Sequence, residues 1–193
     1  METPVKKKRK TKGIVVGLVG KAGSGKDTVF SLLQAMVPDK EFVRLAFGDE
    51  VKKEVADRHQ IPVEVVEDNK EVFRVILQKW GTDYRRKQNE KYWIEKIRTE
   101  VAFLRDNVDV VVITDIRFLN EVDYVKKECK GFIIKVIGDE RRMLKSDHRS
   151  EVELDHITPD WLLPNQKGIT ELSEGLCFLI QELNLMEDTD GQG

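Results

Sequence analysis

Short apolar runs alternate along this chain with segments of helical periodicity. The runs at residues 13–19 (GIVVGLV) and 108–114 (VDVVVIT) have the continuous apolar character of strands that are buried on both faces. Shorter runs predict further strands at residues 42–47, 132–137 and 161–163. Strands that alternate with helices predict an α/β fold in which a parallel sheet is covered on both faces.

The segments between these strands carry apolar residues at the spacing of one helix face. The first helix is predicted to begin near Asp27 and to stop at Pro38. Within the long helical region predicted at residues 62–105, two apolar stripes flank a polar, basic segment at residues 81–86. The remaining helices are predicted over residues 49–59, 62–105, 119–125 and 169–183.

The composition suits one globular domain between two short tails. The chain has 193 residues, of which 40% are hydrophobic and 35% are charged. We expect a single domain at residues 13–186, a disordered basic tail at residues 1–12 and a disordered acidic tail at residues 187–193. The KKKRK run at residues 6–10 resembles a nuclear-localisation or nucleic-acid-binding patch, although a solvated tail is the more ordinary interpretation. Because the rest of the chain is acidic, the sequence argues against nucleic acid as a partner.

The sequence also bears on the compartment. No apolar run has the length that crosses a bilayer, and no apolar segment of a signal peptide follows the basic N-terminus. Cys129 and Cys177 show neither metal-ligand spacing nor a disulfide framework. We therefore expect a cytoplasmic protein (in the host cytoplasm if the protein is viral) with no membrane partner. A nuclear location would depend on residues 6–10 alone, and the sequence leaves a homodimer open.

Residues 20–26 (GKAGSGK) have the spacing of a phosphate-binding loop. Glycines allow the backbone to wrap with its N–H groups inward, and a helix start with a lysine ammonium attracts phosphate. A flexible turn is the alternative, but the position between a buried strand and an amphipathic helix favours the loop. The predicted nucleotide-binding residues are Gly20, Lys21, Ala22, Gly23, Ser24, Gly25, Lys26, Asp27 and Thr28, and Lys26 is also assigned a catalytic role.

Asp27 departs from the common loop pattern. It stands where such loops usually have a Ser or Thr hydroxyl that binds Mg²⁺. A carboxylate oxygen is also a hard ligand that suits Mg²⁺, but it adds negative charge beside the phosphates. The sequence therefore supports either a metal role for Asp27, direct or through water, or a role in orienting the acceptor.

A second constellation, DIRFLNE at residues 115–121, begins where the strand at residues 108–114 ends. Ligands of parallel α/β sheets bind beyond the carboxyl ends of the strands, so Asp115 is expected near the phosphate loop. There Asp115 could hold Mg²⁺ or its waters, and Arg117 could stabilise charge on a transferring phosphoryl group. The alternative is a carboxylate that caps the next helix, with Arg117 paired to Glu121.

Four motifs stand in order along the chain: GKDT at residues 25–28, LQKWGTD at 77–83 with Arg86 and Trp93, DIRFLNE at 115–121, and HRSE at 148–151. Together they resemble the phage-type deoxynucleoside monophosphate kinases over residues 14–183. The resemblance implies a P-loop kinase three-layer sandwich with a five-stranded parallel sheet in the order 2-3-1-4-5. It also implies a helical acceptor-binding arm at about residues 48–105, an arginine-bearing lid at about residues 138–155, and ATP with Mg²⁺ as the requirements of the reaction.

The same resemblance assigns residues to the acceptor site. Arg74 and Arg86 could bind a phosphate dianion through guanidinium forks. Phe47 or Trp93 could stack on a base, although core packing explains Trp93 equally well. The acceptor-site residues assigned in this way are Phe47, Lys52, Arg74, Gln78, Gly81, Thr82, Arg86, Trp93, Asp115 and Glu151.

Three further assignments concern the lid and the base of the donor. Arg141 and Arg142 are the candidates for lid arginines that close over the phosphates, with a solvated charged loop as the default alternative. A structural hydrogen bond explains His148 as well as any functional role does. Asn165 resembles the position at which related kinases place backbone against adenine, and helix capping at residues 166–170 is the alternative.

Other activities fit parts of the same pattern. One alternative is another small-molecule P-loop kinase, notably animal-type phosphomevalonate kinase, which shares a GKD phosphate loop. Dephospho-coenzyme A kinase is a more distant example of the same class. A different class, a nucleotide-dependent switch or a nucleic-acid-binding protein, is suggested only by the basic residues 6–12. The favoured prediction is phosphorylation of deoxynucleoside 5′-monophosphates by ATP.

Overall fold

A computed structural model describes residues 11–139, 141, 153–183 and 185 of the chain. Within them, five parallel strands form a single sheet in the order β2-β3-β1-β4-β5. The strands are β1 Ile14–Val19, β2 Phe42–Leu45, β3 Val110–Ile116, β4 Phe132–Gly138 and β5 Trp161–Asn165. The α/β class and the strand order expected from the sequence are thus confirmed.

The strand β1 lies in the middle of the sheet. Val16 pairs with Val112 of β3 on one side and with Phe132 of β4 on the other. Alternate side chains along β1 enter two separate hydrophobic cores, so that Val15 faces one core and Leu18 faces the other. Both faces of β1 are therefore buried, as its continuous apolar sequence predicts.

Helices cover both faces of this sheet. The α-helices in the described part of the chain are α1 Lys26–Met36, α2 Phe47–His59, α3 Val63–Asp68, α4 Lys70–Gln78, α5 Tyr92–Asn107, α6 Leu119–Asp123 and α7 Ile169–Glu182. Segments of π-helix extend α4 over Lys79–Arg86 and α6 over Tyr124–Glu128, and a short 3₁₀ helix spans Glu153–His156. None of the described helices is long and apolar enough to cross a membrane.

The sequence prediction was wrong at the end of the second strand. Phe47 was expected in that strand, but it is the first residue of α2. The carboxylate of Asp115 accepts hydrogen bonds from the backbone N–H groups of Phe47 and Gly48, at 2.8 and 2.7 Å. These are N–H groups that the first turn of a helix leaves without partners, so Asp115 starts α2 earlier than the sequence pattern indicates.

The helix α4 is held less firmly than its neighbours. None of its nine side chains, all within the described part of the chain, is fully buried. Phe73 and Leu77 are half-buried, whereas Val72 and Val75 are 75% and 58% exposed. The apolar stripe that predicted this helix therefore packs only loosely against the domain.

Candidate active site

The phosphate loop joins the end of β1 at Val19 to the start of α1 at Lys26. Gly23 and Gly25 have φ values of 82° and 102°, in a region that residues with a Cβ rarely occupy. At Gly20, an added Cβ would lie 2.5 Å from the hydroxyl oxygen of Ser24. Glycine is therefore required at these loop positions both by conformation and by space.

The side chain of Lys26 spans the loop. Its ammonium donates hydrogen bonds to the backbone carbonyls of Gly20, at 2.7 Å, and Lys21, at 3.0 Å. The ammonium is thus held beside the first turn of α1, where the helix dipole also favours an anion. This is the location that the loop motif predicts for the charge that grips a polyphosphate.

Asp27 and Thr28 follow on the exposed side of α1. The carboxylate of Asp27 is 90% exposed, and its charged neighbour is Arg44, with 3.9 Å between Asp27 Oδ1 and Arg44 Nε. The other predicted donor-site residue, Asn165, ends β5 and donates a hydrogen bond of 2.9 Å to the backbone carbonyl of Ser24. All the predicted nucleotide-binding residues therefore lie on the loop, on the first turn of α1, or in contact with the loop.

A cavity of about 270 Å³, which we call the basic cavity, adjoins the loop at Ala22. It lies among α2, α4, the π-helical segment Lys79–Arg86 and the residues around the end of β3. The residues assigned to the acceptor site that line it are Phe47, Lys52, Arg74, Gln78, Gly81, Thr82, Arg86, Trp93 and Asp115, and the catalytic candidate Arg117 lines it as well. The structure thus gathers these residues around one space, and their individual roles stay predictions.

Ion pairs hold the cations on the α2 and α4 side of the basic cavity. The ammonium of Lys52 pairs with Asp49, at 2.7 Å, and with Glu67. Burial opposes the charge of Lys52, but its hydrogen bonds to these carboxylates raise its pKa above the ordinary value. Arg74 pairs with Glu71 at 2.8 Å in an exposed position. The carboxylates therefore hold Lys52 in its charged form at this wall of the cavity.

A buried ion pair joins Arg86 to Glu121. The second carboxylate oxygen of Glu121 accepts hydrogen bonds from the backbone N–H groups of Arg117, at 2.7 Å, and Phe118, at 3.1 Å. Burial raises the pKa of Glu121, while the charge of Arg86 and these N–H groups act in the opposite direction. The sequence alternative paired Glu121 with Arg117, whereas the structure gives Glu121 the backbone of Arg117 and the guanidinium of Arg86.

Asp115 lies half-buried in the wall of the same cavity. The alternative interpretation of the sequence had Asp115 capping the helix that follows it. In the structure Asp115 caps α2 instead, through its bonds to Phe47 and Gly48. A carboxylate at a helix N-terminus accepts N–H groups that the first turn leaves without partners. Asp115 is therefore fixed beside the phosphate loop, where its role as a metal or acceptor ligand stays a prediction.

Trp93 belongs to the hydrophobic core and also reaches the basic cavity. Its side chain is 1% exposed, and its indole N–H donates a 2.9 Å hydrogen bond to the carbonyl of Gly81. This bond anchors the π-helical segment that places Gly81 and Thr82 at the cavity wall. Trp93 therefore packs in the core, as one of the two alternatives from the sequence predicted. The other alternative, stacking on a base, stays a prediction.

The lid assignment falls mainly on residues beyond the described part of the chain. Arg142, His148 and Glu151 lie outside the described residues. Arg141 is described, and its guanidinium pairs with the carboxylate of Asp139 at 2.7 Å. β4 ends at Gly138, where an added Cβ would lie 2.7 Å from Ser24 Cα, so Arg141 follows a strand that reaches the phosphate loop.

Several lining residues were not assigned from the sequence: Gly48, Val51, Lys70, Leu77, Phe118 and Glu121. Lys70 stands four residues before Arg74, so the two share a helix face together with Leu77 and Gln78. Extending the helical periodicity back by one turn would have found Lys70. Leu77, Phe118 and Glu121 stand within the motifs quoted from the sequence, whereas Gly48 and Val51 reach the cavity through tertiary packing, for which the sequence gives no local signal.

The parallel sheet, the phosphate loop with its lysine and the adjoining basic cavity define this protein as a P-loop kinase. The chain belongs to the family of deoxynucleotide monophosphate kinases. It is 30% identical over 203 residues to a protein of Acanthamoeba polyphaga mimivirus that is named as a deoxynucleotide monophosphate kinase, and the match covers 90% of this chain and 99% of the mimivirus protein. It is also 31% identical over 109 residues to the deoxynucleoside-5′-monophosphate kinase of Escherichia phage T5, covering 49% of this chain and 43% of the phage protein.

Two further comparisons describe the fold and the region of the phosphate loop. Residues 18–131 match the model of the phosphomevalonate kinase family. The APS kinase of Mycobacterium tuberculosis, solved in complex with AMPPNP and APS, superposes with a TM-score of 0.52 at 17% identity, covering 89% of this chain and 99% of that one. At that identity the similarity establishes the shared fold.

Proposed function

We propose that this chain transfers the γ-phosphoryl group of ATP to deoxynucleoside 5′-monophosphates and forms the diphosphates. The observation that carries the proposal is the contact between the phosphate loop and the basic cavity at Ala22. A donor held by the loop would have its terminal phosphate beside a second site that is rich in arginine and lysine. The similarity to the mimivirus protein along nearly the whole chain supports deoxynucleotides as the acceptors.

The donor proposed for the loop is ATP. The ammonium of Lys26, which now bonds to two loop carbonyls, is the group that would bind the β- and γ-phosphates. That the related fold of the APS kinase was solved with AMPPNP agrees with an adenine nucleotide as donor. Asn165 and the loop residues complete the donor side.

The donor set for Mg²⁺ is small but suits that ion. Mg²⁺ is commonly bound by one or two carboxylates together with substrate phosphates. The described residues contain no cluster of three or more acidic, His or Cys side chains that would hold a metal alone. Asp27, exposed in the first turn of α1, is the proposed ligand, and Asp115, whose oxygens already accept two N–H bonds, is the second candidate. When bound, Mg²⁺ would neutralise charge on the phosphates.

The acceptor phosphate is proposed to bind at the arginines of the basic cavity. Arg74 and Arg86 line it from the arm, and Arg117 lines it from the end of β3. An oxygen of the acceptor phosphate forms the new bond to the γ-phosphorus while the bond to the ADP oxygen breaks. Because that acceptor oxygen is already ionised, no strong general base is needed. Positioning and charge neutralisation supply the acceleration, and Arg141 and Arg142 are proposed to complete the clamp.

The base and sugar of the acceptor are proposed to occupy the rest of the cavity. Gln78 and Thr82 offer polar groups there, and Phe47 and Trp93 offer aromatic surface. Lys52, which also belongs to the proposed acceptor site, lines the cavity on the side of α2 and α4. Glu151 belongs to this proposed site by resemblance to the family.

A coupled assay of ADP release tests the proposal directly. Purified protein would be given ATP, Mg²⁺ and each member of a panel of deoxynucleoside and ribonucleoside monophosphates. We expect turnover with at least one deoxynucleoside monophosphate. Absence of turnover with every member of the panel would overturn the proposal.

Phosphomevalonate kinase activity is the second candidate, because the model of that family matches residues 18–131. Its acceptor carries no base, so the two candidates differ in which ligand protects the protein. We expect a deoxynucleoside monophosphate, and not phosphomevalonate, to raise the midpoint of thermal unfolding. The opposite result would favour the second candidate.

The proposal includes a cellular setting. Small-molecule nucleotides are the proposed partners, and the cytoplasm is the proposed location. Cys129 and Cys177 are both free thiols, which agrees with a reducing compartment. A homodimer is the alternative to a monomer, and sedimentation equilibrium of the purified protein distinguishes the two.

A further inference from the structure

The phosphate loop is held from outside by the last strand of the sheet. Asn165, at the carboxyl end of β5, donates a hydrogen bond from its side-chain Nδ2 to the backbone carbonyl oxygen of Ser24, at 2.9 Å. The two residues are 141 positions apart in sequence. This bond therefore connects the loop to a strand that the loop motif does not include.

Close packing surrounds this bond. Ser24 is 0% exposed, and a Cβ added to Gly138, at the end of β4, would lie 2.7 Å from Ser24 Cα. A Cβ added to Gly25 would lie 2.2 Å from the Nδ2 atom of Asn165. Distances this short show that Gly138 packs against Ser24 and that the Asn165 amide packs against Gly25, so the loop has no space to shift toward β4 or β5. The ends of both strands thus form a fixed support behind Ser24 and Gly25.

The direction of one peptide group follows from this support. In a planar trans peptide, the C=O and the N–H point in opposite directions. Because Asn165 draws the carbonyl of Ser24 toward itself, the N–H of Gly25, which belongs to the same peptide group, points away from Asn165. The left-handed φ of 102° at Gly25 then leads the chain into α1. One side-chain hydrogen bond therefore fixes the orientation of a backbone donor in the loop.

We infer that Asn165 is a positioning residue of the phosphate loop, which acts on the polyphosphate by orienting the Ser24–Gly25 peptide group. Its effect does not require contact with the adenine base, the role that the family resemblance suggests for this position. The inference rests on the proposed binding of a triphosphate at the loop, and it is independent of which acceptor the enzyme uses.

The test compares a ligand with a base and a ligand without one. Dissociation constants of ATP and of inorganic tripolyphosphate are measured by calorimetry for the unaltered protein and for Asn165→Ala. We expect both ligands to bind about fivefold to tenfold more weakly to the variant, by the same factor, because a hydrogen bond contributes up to about 1.5 kcal/mol. The KM of the acceptor is expected to stay unchanged.

A matched control measures the cost of losing this kind of bond elsewhere. Asn107, near the end of α5, donates its side-chain Nδ2 to the carbonyl of Phe103 at 2.7 Å in an exposed position. Asn107→Ala removes the same type of bond far from the loop motif and is expected to leave both dissociation constants unchanged. If Asn165→Ala does not fold, Asn165→Leu restores the side-chain volume without the N–H group and takes its place in the comparison.

Other outcomes overturn either this inference or the proposed function, and the two can be distinguished. Weaker ATP binding with unchanged tripolyphosphate binding would assign Asn165 to the base. Unchanged binding of both ligands would show that the loop keeps its form without this bond. Failure of the unaltered protein to bind either ligand would contradict the proposed donor site itself, whereas failure to phosphorylate any deoxynucleotide, with tripolyphosphate still bound, would contradict only the proposed acceptor.

Discussion

The guanidinium of Arg86 and the carboxylate of Glu121 form an ion pair inside the protein, with side chains 6% and 1% exposed. Arg86 comes from the π-helical segment after α4, and Glu121 comes from α6 beyond the end of β3. The same carboxylate accepts the backbone N–H of Arg117. One buried contact therefore joins the proposed acceptor arm to the loop that carries the second constellation.

Replacing Glu121 by Ala should destabilise the protein strongly. The change leaves the charge of Arg86 buried without its partner, and breaking a buried pair in this way costs about 3–5 kcal/mol of unfolding free energy. Denaturation in urea measures the loss. The double variant Arg86→Met with Glu121→Leu should recover most of the stability but should not bind the acceptor. If Glu121→Ala alone were as stable as the unaltered protein, this account of the ion pair would be contradicted.

Replacing Arg74 by Ala should weaken acceptor binding with little effect on stability. Its partner Glu71 is exposed, and pairs of this kind on a helix surface contribute about 0.3–0.5 kcal/mol. We expect the KM of the deoxynucleoside monophosphate to rise at least about tenfold, since a charge-assisted bond is worth about 1.5–3 kcal/mol. The control is Arg98→Ala, which removes an exposed pair with Glu128. Equal KM values for the two variants would remove Arg74 from the acceptor site.

Replacing Lys26 by Ala should abolish turnover and preserve the fold. Steady-state assays should show a fall in kcat/KM of at least about a thousandfold, because the charge that grips the phosphates is lost. Thermal unfolding should show a folded protein, since the hydrogen bonds from this half-buried lysine to the loop carbonyls of Gly20 and Lys21 contribute about 0.5–1.5 kcal/mol each. Lys127→Ala, which removes an exposed pair with Asp123, is the control and should keep full activity. Activity retained by Lys26→Ala would count against the site.

Glu54 should make the stability of the protein depend on pH in the acid range. Burial opposes its ionisation, but hydrogen bonds from Tyr92, Trp80, Lys96 and Arg85 outweigh burial and hold its pKa below the ordinary 4.5. A lowered carboxyl pKa stabilises the fold above the ordinary pKa, and the contribution is lost as the pH falls through the lower value. The stability difference between the unaltered protein and Glu54→Gln should therefore shrink below about pH 4.5. Urea unfolding across pH 3–7 measures it, and a constant difference would refute the assignment.

Deleting residues 1–12 should leave kinase activity intact. The structure describes only an exposed ion pair of this segment, between Lys12 and Asp106 at 3.8 Å, which contributes at most about 1 kcal/mol. Turnover of the deleted and full-length proteins under the same conditions is the comparison. Loss of all activity would instead favour a nucleotide-dependent switch or nucleic-acid-binding function that uses the basic segment.

The sheet and the phosphate loop could be predicted because their signals are local. The strands β1 and β3 are continuous apolar runs, and the loop motif stands directly between β1 and α1. The start of α2 could not be predicted in this way. It is set by Asp115, which lies 68 residues from Phe47 in sequence and meets it only in the folded protein.

The candidate site was predictable to a similar extent. Spacing along α4 and resemblance to a family gathered most of the residues that line the basic cavity. The partner of Glu121 was not available from sequence, since Arg117 is four residues away and Arg86 is 35 residues away. Local spacing favoured the nearer arginine, whereas tertiary packing selected the distant one.

The loose packing of α4 has a consequence for how an acceptor is recognised. Segments with few buried apolar contacts open locally at low free energy, so the amide hydrogens of α4 should exchange with solvent early. An acceptor that contacts Arg74 and Gln78 would add contacts to a helix that has no fully buried side chain. Acceptor binding and the ordering of α4 would then be coupled. Part of the affinity of each acceptor would reflect how well its contacts stabilise α4 in the wall of the basic cavity.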